Sequence, residues 1–403
     1  MKNGLVGSSS IEKRAIASLA GIFTLRMLGL FMILPVFAIY ANQLSHVTPL
    51  LVGIALGSYG LTQALLQIPF GFLSDRVGRK PVIVAGLLLF AFGSLVAALS
   101  NSIYGVIIGR SLQGASAIGC VLMALVVDLT REEIRIRAMG IIGITIGISF
   151  ALAMILGPFL SDWAGVRGIF WITALLAVLA LSVLLIFVPT PVTQSLEGDA
   201  IPLLKLVPKT LANLELSHLN FGVLVLHASL VALFLKIPEA IKTVGSIEGS
   251  SGWFYAPIFI GSLLVTIPCI LIIEKQGWDN RRGLMGLIVI LAVSELGILY
   301  FFNTLVGLVL SLGLFFTAFN TLEASLPSLV SKVALKEGKG TALGIYSSAQ
   351  FLGLFLGGLV GGWLDEQFGV VAVLLFCVIL AVVWLIWVLS VDFLKRGSKW
   401  HVE

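Results

Sequence analysis

The sequence predicts an all-α membrane protein of about twelve transmembrane helices, arranged as two six-helix, pseudo-symmetric halves. Three observations carry this reading. The chain of 403 residues is 59% hydrophobic and only 11% charged, with a mean hydropathy of +1.10, far from the balance of water-soluble domains. A bilayer core takes about 20 apolar residues per helix, and such stretches run nearly end to end, parted by short polar breaks. Segments 291–302 and 370–389 do not alternate apolar with polar residues, which argues against the strands of a membrane barrel.

Apolar runs begin near 15, 50, 81, 102, 138, 167, 217, 252, 283, 304, 341 and 369. An even number of helices with both ends in the cytoplasm places 20 of the 25 basic residues inside. Arg167 and Lys242 alone fall in external loops, while Arg26, Arg110 and Lys236 lie within spans. That bias follows the positive-inside rule. The expected organisation is a cytoplasmic N-terminus (1–14), a first half (15–189), a cytoplasmic linker (190–216) rich in proline, a second half (217–392) and a cytoplasmic tail (393–403).

The formal charge of +5 is spread through short loops and follows membrane topology, not a nucleic-acid partner. Cys120, Cys269 and Cys377 sit in apolar runs and read as small hydrophobes. No disulfide framework, metal motif or cofactor follows. The polar start of the chain lacks the apolar core and cleavage site of a signal peptide. The histidines, His46, His218, His227 and His401, are scattered without metal or nucleophile spacing, so a membrane enzyme is not expected.

The two halves repeat one another. Pro69 precedes Asp75-Arg76 as Pro268 precedes Glu274-Lys275, an offset of 199 residues. Gly157-Pro158 with Asp162 answers to Gly361-Gly362 with Glu366, at an offset of 204.

The loop after the second run reads Gly71-Phe72-Leu73-Ser74-Asp75-Arg76-Val77-Gly78-Arg79-Lys80. It resembles the loop motif of the major facilitator superfamily at Gly71, Asp75, Arg76, Gly78, Arg79 and Lys80. Two glycines, a carboxylate at a helix end and near-spaced cations suit a tight, charged turn, in which Asp75 and Arg79 pair if the helix continues. The resemblance implies a cytoplasmic gate in which Asp75 faces the start of helix eleven, near Gly340-Thr341, when the path opens outward. A dipole there favours an anion. Asp128 would extend that gate by pairing with a motif arginine.

Gly109-Arg110-Ser111-Leu112-Gln113-Gly114 resembles a motif of proton-coupled members. A guanidinium inside a bilayer needs a polar cavity or a partner. Leu28-Gly29 with Pro35-Val36, and Gly143, Gly147 and Gly157-Pro158, resemble antiporter motifs, but Ala38 replaces a proline and Ser161-Asp162 replaces a glycine pair. Packing alone would also explain these glycines, and equally Gly353, Gly357 and Gly361. Leu25-Arg26-Met27-Leu28-Gly29, the full loop and Asn320 to Leu329 resemble bacterial inner-membrane members that bear an extra C-terminal soluble domain. Here the chain stops about ten residues after helix twelve.

Of three intramembrane acids, Glu239 lies three residues from Lys236 and suits a local ion pair. Glu295, on a helix that the resemblance places at the periphery, is open to a structural or a functional role. Glu323, one turn before Pro327 on a helix that lines the cavity in this fold, is the expected proton carrier, with Arg26 or Arg110 as its modulating cation. Phe31, Tyr59, Gln63, Tyr346 and Gln350 are the substrate-path candidates, with Gln67, Phe150, Phe234 and Tyr255 behind them. The expected function is alternating access moving a small molecule, first by proton antiport and alternatively by proton-coupled import of a nutrient. The expected partners are lipid, protons and that small molecule. The expected state is a monomer in a bacterial cytoplasmic membrane.

Overall fold

The computed structural model describes residues 9–190, 207–245, 252–276, 281–334 and 338–390. Among these, eleven helices are long and apolar enough to cross a bilayer, and one of them contains two passages. The first span is Ser9–Phe31 continued by Leu34–Ala41. Its break has a simple cause, since Pro35 has no N–H to continue the helical ladder. The second and third spans are Pro49–Val77 and Arg79–Leu99, and the fourth is Ile103–Ala115 with Gly119–Leu129. The seventh to twelfth are Leu214–Gly245, Gly252–Gln276, Arg281–Tyr300, Leu305–Val333, Lys339–Phe368 and Val370–Ser390.

The fifth and sixth spans form one helical run, Glu132–Phe187, whose 56 residues would reach about 84 Å if straight. A bilayer core is only about 30 Å thick. Gly165, at φ 68° and ψ 170°, breaks the run, a conformation that a residue with a Cβ avoids. Contacts with the first span show that the run doubles back. Glu12 holds Arg131 and Arg14 reaches the Ile186 carbonyl at one end, Thr173 binds the Gly29 carbonyl in the middle, and Tyr40 meets Arg167 at the other end.

These pairs define two faces. Arg14, Arg76, Arg79, Lys80 and Arg131 lie on the basic face. Trp163, Trp253, Tyr300 and Phe368 stand exposed near span ends on the far face, as interfacial aromatics do. Between the faces, exposed Leu88, Phe92, Ile108, Leu175, Leu185 and Ile386 are part of an apolar surface too broad for water. The protein is therefore an all-helical, multi-pass membrane protein.

Two boundaries differ from expectation. The first helix starts at Ser9, inside the stretch 1–14 assigned to a tail, because Glu12 binds the Arg131 guanidinium at 2.9 Å and accepts its backbone N–H at 3.1 Å. The seventh span starts at Leu214 and follows a short helical turn at 207–211 inside the stretch assigned to a linker. There the Asn213 side-chain oxygen accepts from the amides of Glu215 and Leu216, as a helix cap does. Residues 191–206 of the expected linker and the tail 393–403 lie outside the described residues.

The packing repeats with a period of six spans. Gly157 of span five abuts the Met32 carbonyl of span one, and Gly357 of span eleven abuts the Ala228 carbonyl of span seven. Across the halves, span two packs against span eleven more extensively than any other pair. Gly53, Gly57 and Gly60 face Gly358, Phe355 and Phe351 so closely that a Cβ at Gly53 would overlap the Gly358 carbonyl. Phe159 with Trp253, at a ring separation of 5.2 Å, closes the far side between spans five and eight.

Candidate substrate and proton site

In the first half, two guanidiniums share one tyrosine. Arg26 and Arg110 are 1% and 3% exposed. Arg26 Nη2 donates to Tyr59 Oη at 3.1 Å and to Gln63 Oε1 at 3.0 Å, while Arg110 stacks its guanidinium 5.2 Å from the Tyr59 ring centroid. Arg110 Nη1 donates to Gln113 Oε1 at 2.9 Å, and Gln113 in turn donates to Ser94 Oγ. Among the described residues neither arginine meets a carboxylate, and Arg26 Nη1 and Nε and Arg110 Nε have no hydrogen-bond partner. The neutral amides, the Tyr59 hydroxyl and ring, and the Leu56 carbonyl, 3.5 Å from Arg110 Nη2, are what hold these charges.

The second half supplies the acid. Gln350 Nε2 donates to Glu323 Oε1 at 2.8 Å and lies 2.9 Å from His227 Nε2. His227 Nδ1 lies 3.1 Å from the Val223 carbonyl, which fixes the tautomer: Nδ1 carries the hydrogen and Nε2 accepts from Gln350. Glu323 Oε2 lies 3.9 Å from His227 Nε2, and the Glu323 side chain is 34% exposed where that of His227 is 5%. Three spans, seven, ten and eleven, thus converge on one polar contact. Tyr346, buried one turn before Gln350, lies near Glu323.

Aromatic rings join this contact to the first half. Phe31 meets Phe150 edge-on at 4.9 Å, Phe150 stacks on Phe319 at 5.8 Å, and Phe319 lies 5.6 Å from the His227 ring. Tyr59 meets Phe351 at 6.1 Å. The path candidates Phe31, Tyr59, Gln63, Tyr346 and Gln350 therefore fall in two clusters linked at the centre. Arg26 and Arg110 stay with Tyr59 in the first half and form no ion pair with Glu323. His227 is the residue that sequence reasoning passed over.

The loop motif ties the first half together on the basic face. Span two ends at Val77, and Gly78, at φ 104°, turns the chain into span three. Although the helix stops, Arg79 pairs with Asp75, and it also donates to Asp128 at 3.2 Å and to Ser74 Oγ at 2.6 Å. Lys80 donates to the Val188 carbonyl. Gly71 faces Cys120, and Arg76 is exposed. Asp75 is turned to Arg79 and not to the start of span eleven, where a Cβ at Gly340 would meet nothing within 4 Å.

Lys236 pairs with Glu239 at 3.4 Å, as spacing suggested, and with Asp365 at 3.2 Å. Glu295 is fully buried beside Ser229 and Cys377, so its side chain faces the packing of the second half although its span is peripheral. Among the described residues no cluster of three His, Cys, Asp or Glu could hold a metal.

The sequence profile of the Major Facilitator Superfamily matches residues 19–326 and 219–402. The chain belongs to the major facilitator superfamily. It is a secondary transporter, as superfamily members are, and not an enzyme. It is 42% identical over 378 residues to the inner membrane transport protein YajR of Escherichia coli strain K12, covering 93% of this chain and 82% of that one. It is 28% identical over 347 residues to the multidrug resistance protein MdtH of Aeromonas hydrophila, covering 83% and 82%. The crystal structure of a D-xylose–proton symporter superposes with a TM-score of 0.77 at 16% identity, over 97% of this chain and 99% of that one. That likeness concerns the superfamily fold.

Proposed function

We propose that this transporter exports a small molecule from a bacterial cell in exchange for protons, working as a monomer in the cytoplasmic membrane with its basic face and both termini inside. The observation that carries the reading is the Glu323–Gln350–His227 contact. An acid and an imidazole share one amide beside a central cluster of rings, so a proton entering from one side changes the hydrogen bonding of three spans. An inward proton releases about 2.3 kcal/mol per 100 mV of membrane potential, enough to drive a substrate outward. The positive-inside bias supports the orientation, and the names of YajR and MdtH support the membrane and the direction of transport. Gln350 acts as the positioning residue, Glu323 as the proton carrier and His227 as its partner, in the place that an arginine was expected to fill. The loop motif with Asp128 serves as the gate on the basic face.

Proton-coupled import is the second reading. It is favoured by the incomplete antiporter motif at Ala38 and Ser161-Asp162. Cells producing the chain are expected to accumulate less of a transported lipophilic dye than cells without it, with the difference abolished by a protonophore. Higher, protonophore-sensitive accumulation of a nutrient would favour import instead.

A further inference from the structure

Spans two and eleven run antiparallel, so at each face one of them begins where the other ends. At the far face span two begins with Pro49, which has no N–H, and Leu50 supplies the first free amide of the helix. The Thr48 side chain serves the next one, accepting from Leu51 N at 3.3 Å. The Leu50 amide donates instead to Glu366 Oε2 of span eleven at 3.1 Å. This bond crosses between the halves, and it lies at the end of the glycine seam, where Gly362 abuts Pro49 and Leu50. The neighbouring carboxylate, Asp365, turns the other way and binds Lys236 within its own half.

We propose that Glu366 is a positioning residue of the transport cycle, a latch that holds the far face closed by binding the first amide of span two. The same two helices repeat the arrangement at the basic face with the roles exchanged, for there Asp75 ends span two and Gly340 lies at the start of span eleven. One latch is engaged and the other is not. At the far face the carboxylate sits on the opposing helix, whereas at the basic face Asp75 is held by Arg79. A rocking motion that closes one end opens the other, so the two carboxylates alternate. A carboxylate at a helix N-terminus favours that contact while the far face is shut, and nothing replaces it once the spans part.

Hydrogen–deuterium exchange of the full chain in nanodiscs tests the latch without reference to protons or substrate. Glu366→Ala is expected to raise exchange in segments 49–60 and 353–368 by about two- to fivefold, and to slow it in segments 71–80 and 339–346. Glu366→Gln, which keeps an acceptor but loses the charge, is expected to do the same to a smaller extent. Asp365→Asn is expected to leave the balance between the two faces unaltered. Unchanged exchange in both glutamate variants would overturn the proposal. So would a rise at both faces together, since that is general loosening and not a shift between closed faces. Should Glu366→Ala fail to fold, Glu366→Gln alone decides.

Discussion

Glu323→Gln is expected to abolish proton-driven concentration of substrate while sparing exchange of substrate down its own gradient. The glutamine preserves the shape of the side chain and can still accept from Gln350 at the position of Glu323 Oε1, so the path and the rocking motion survive. What it removes is the carboxyl proposed to take up a proton on one face and release it on the other. At 100 mV the lost coupling of one charge is roughly 2.3 kcal/mol, about 50-fold in the accumulation ratio. Active transport and counterflow measured on one preparation of proteoliposomes separate the two activities. His227→Gln is expected to fall between the wild type and Glu323→Gln, since it removes the imidazole facing Gln350 but leaves the acid. Loss of counterflow together with active transport would assign Glu323 to the substrate site instead.

The second large effect is expected at the glycine seam. Gly53→Leu places a side chain where the Gly358 carbonyl already sits, and Gly358→Leu does the same against the Gly53 carbonyl. Overpacking of this kind costs about 1–3 kcal/mol, roughly 5- to 150-fold in the balance between closed and open far faces. Transport should fall by a comparable factor while the protein still inserts in the membrane. Gly261→Leu is the control, because Gly261 is exposed and a Cβ there meets nothing within 4 Å, and it is expected to transport normally. Equal loss in the control would mean that glycine content, and not the seam, limits transport.

Composition alone made most of the fold legible, because a bilayer forces each crossing to declare itself as a long apolar run. Span starts expected near 50, 102, 252, 304 and 369 fall at Pro49, Ile103, Gly252, Leu305 and Val370. The turn between spans five and six was legible too, since the start expected near 167 follows the break at Gly165. The motif loop was readable because its charges are close in sequence, and even its longer reach to Asp128 followed from the placement of that residue at a helix end.

The proposed proton site was only half readable. Glu323 stands out as an acid in an apolar helix, but His227 in an apolar run looks like any buried histidine. Its significance comes from Gln350, 123 residues away, and no spacing rule spans that distance. The surroundings of the arginines were hidden for a related reason. A buried cation suggests a nearby acid, yet Arg26 and Arg110 are held by Tyr59, Gln63 and Gln113, whose amides and ring are ordinary in sequence. The proposed latch at Glu366 was hidden because its partner, the Leu50 amide, lies 316 residues away.

The most direct test of proton-coupled export is the pH gradient of energised inside-out vesicles during addition of lipophilic cations, antibiotics, sugars and organic acids. A compound that dissipates the gradient in vesicles carrying the wild type, but not in those carrying Glu323→Gln, is the expected result. Dissipation that is the same with both proteins, or a transported compound that leaves the gradient untouched, would contradict it.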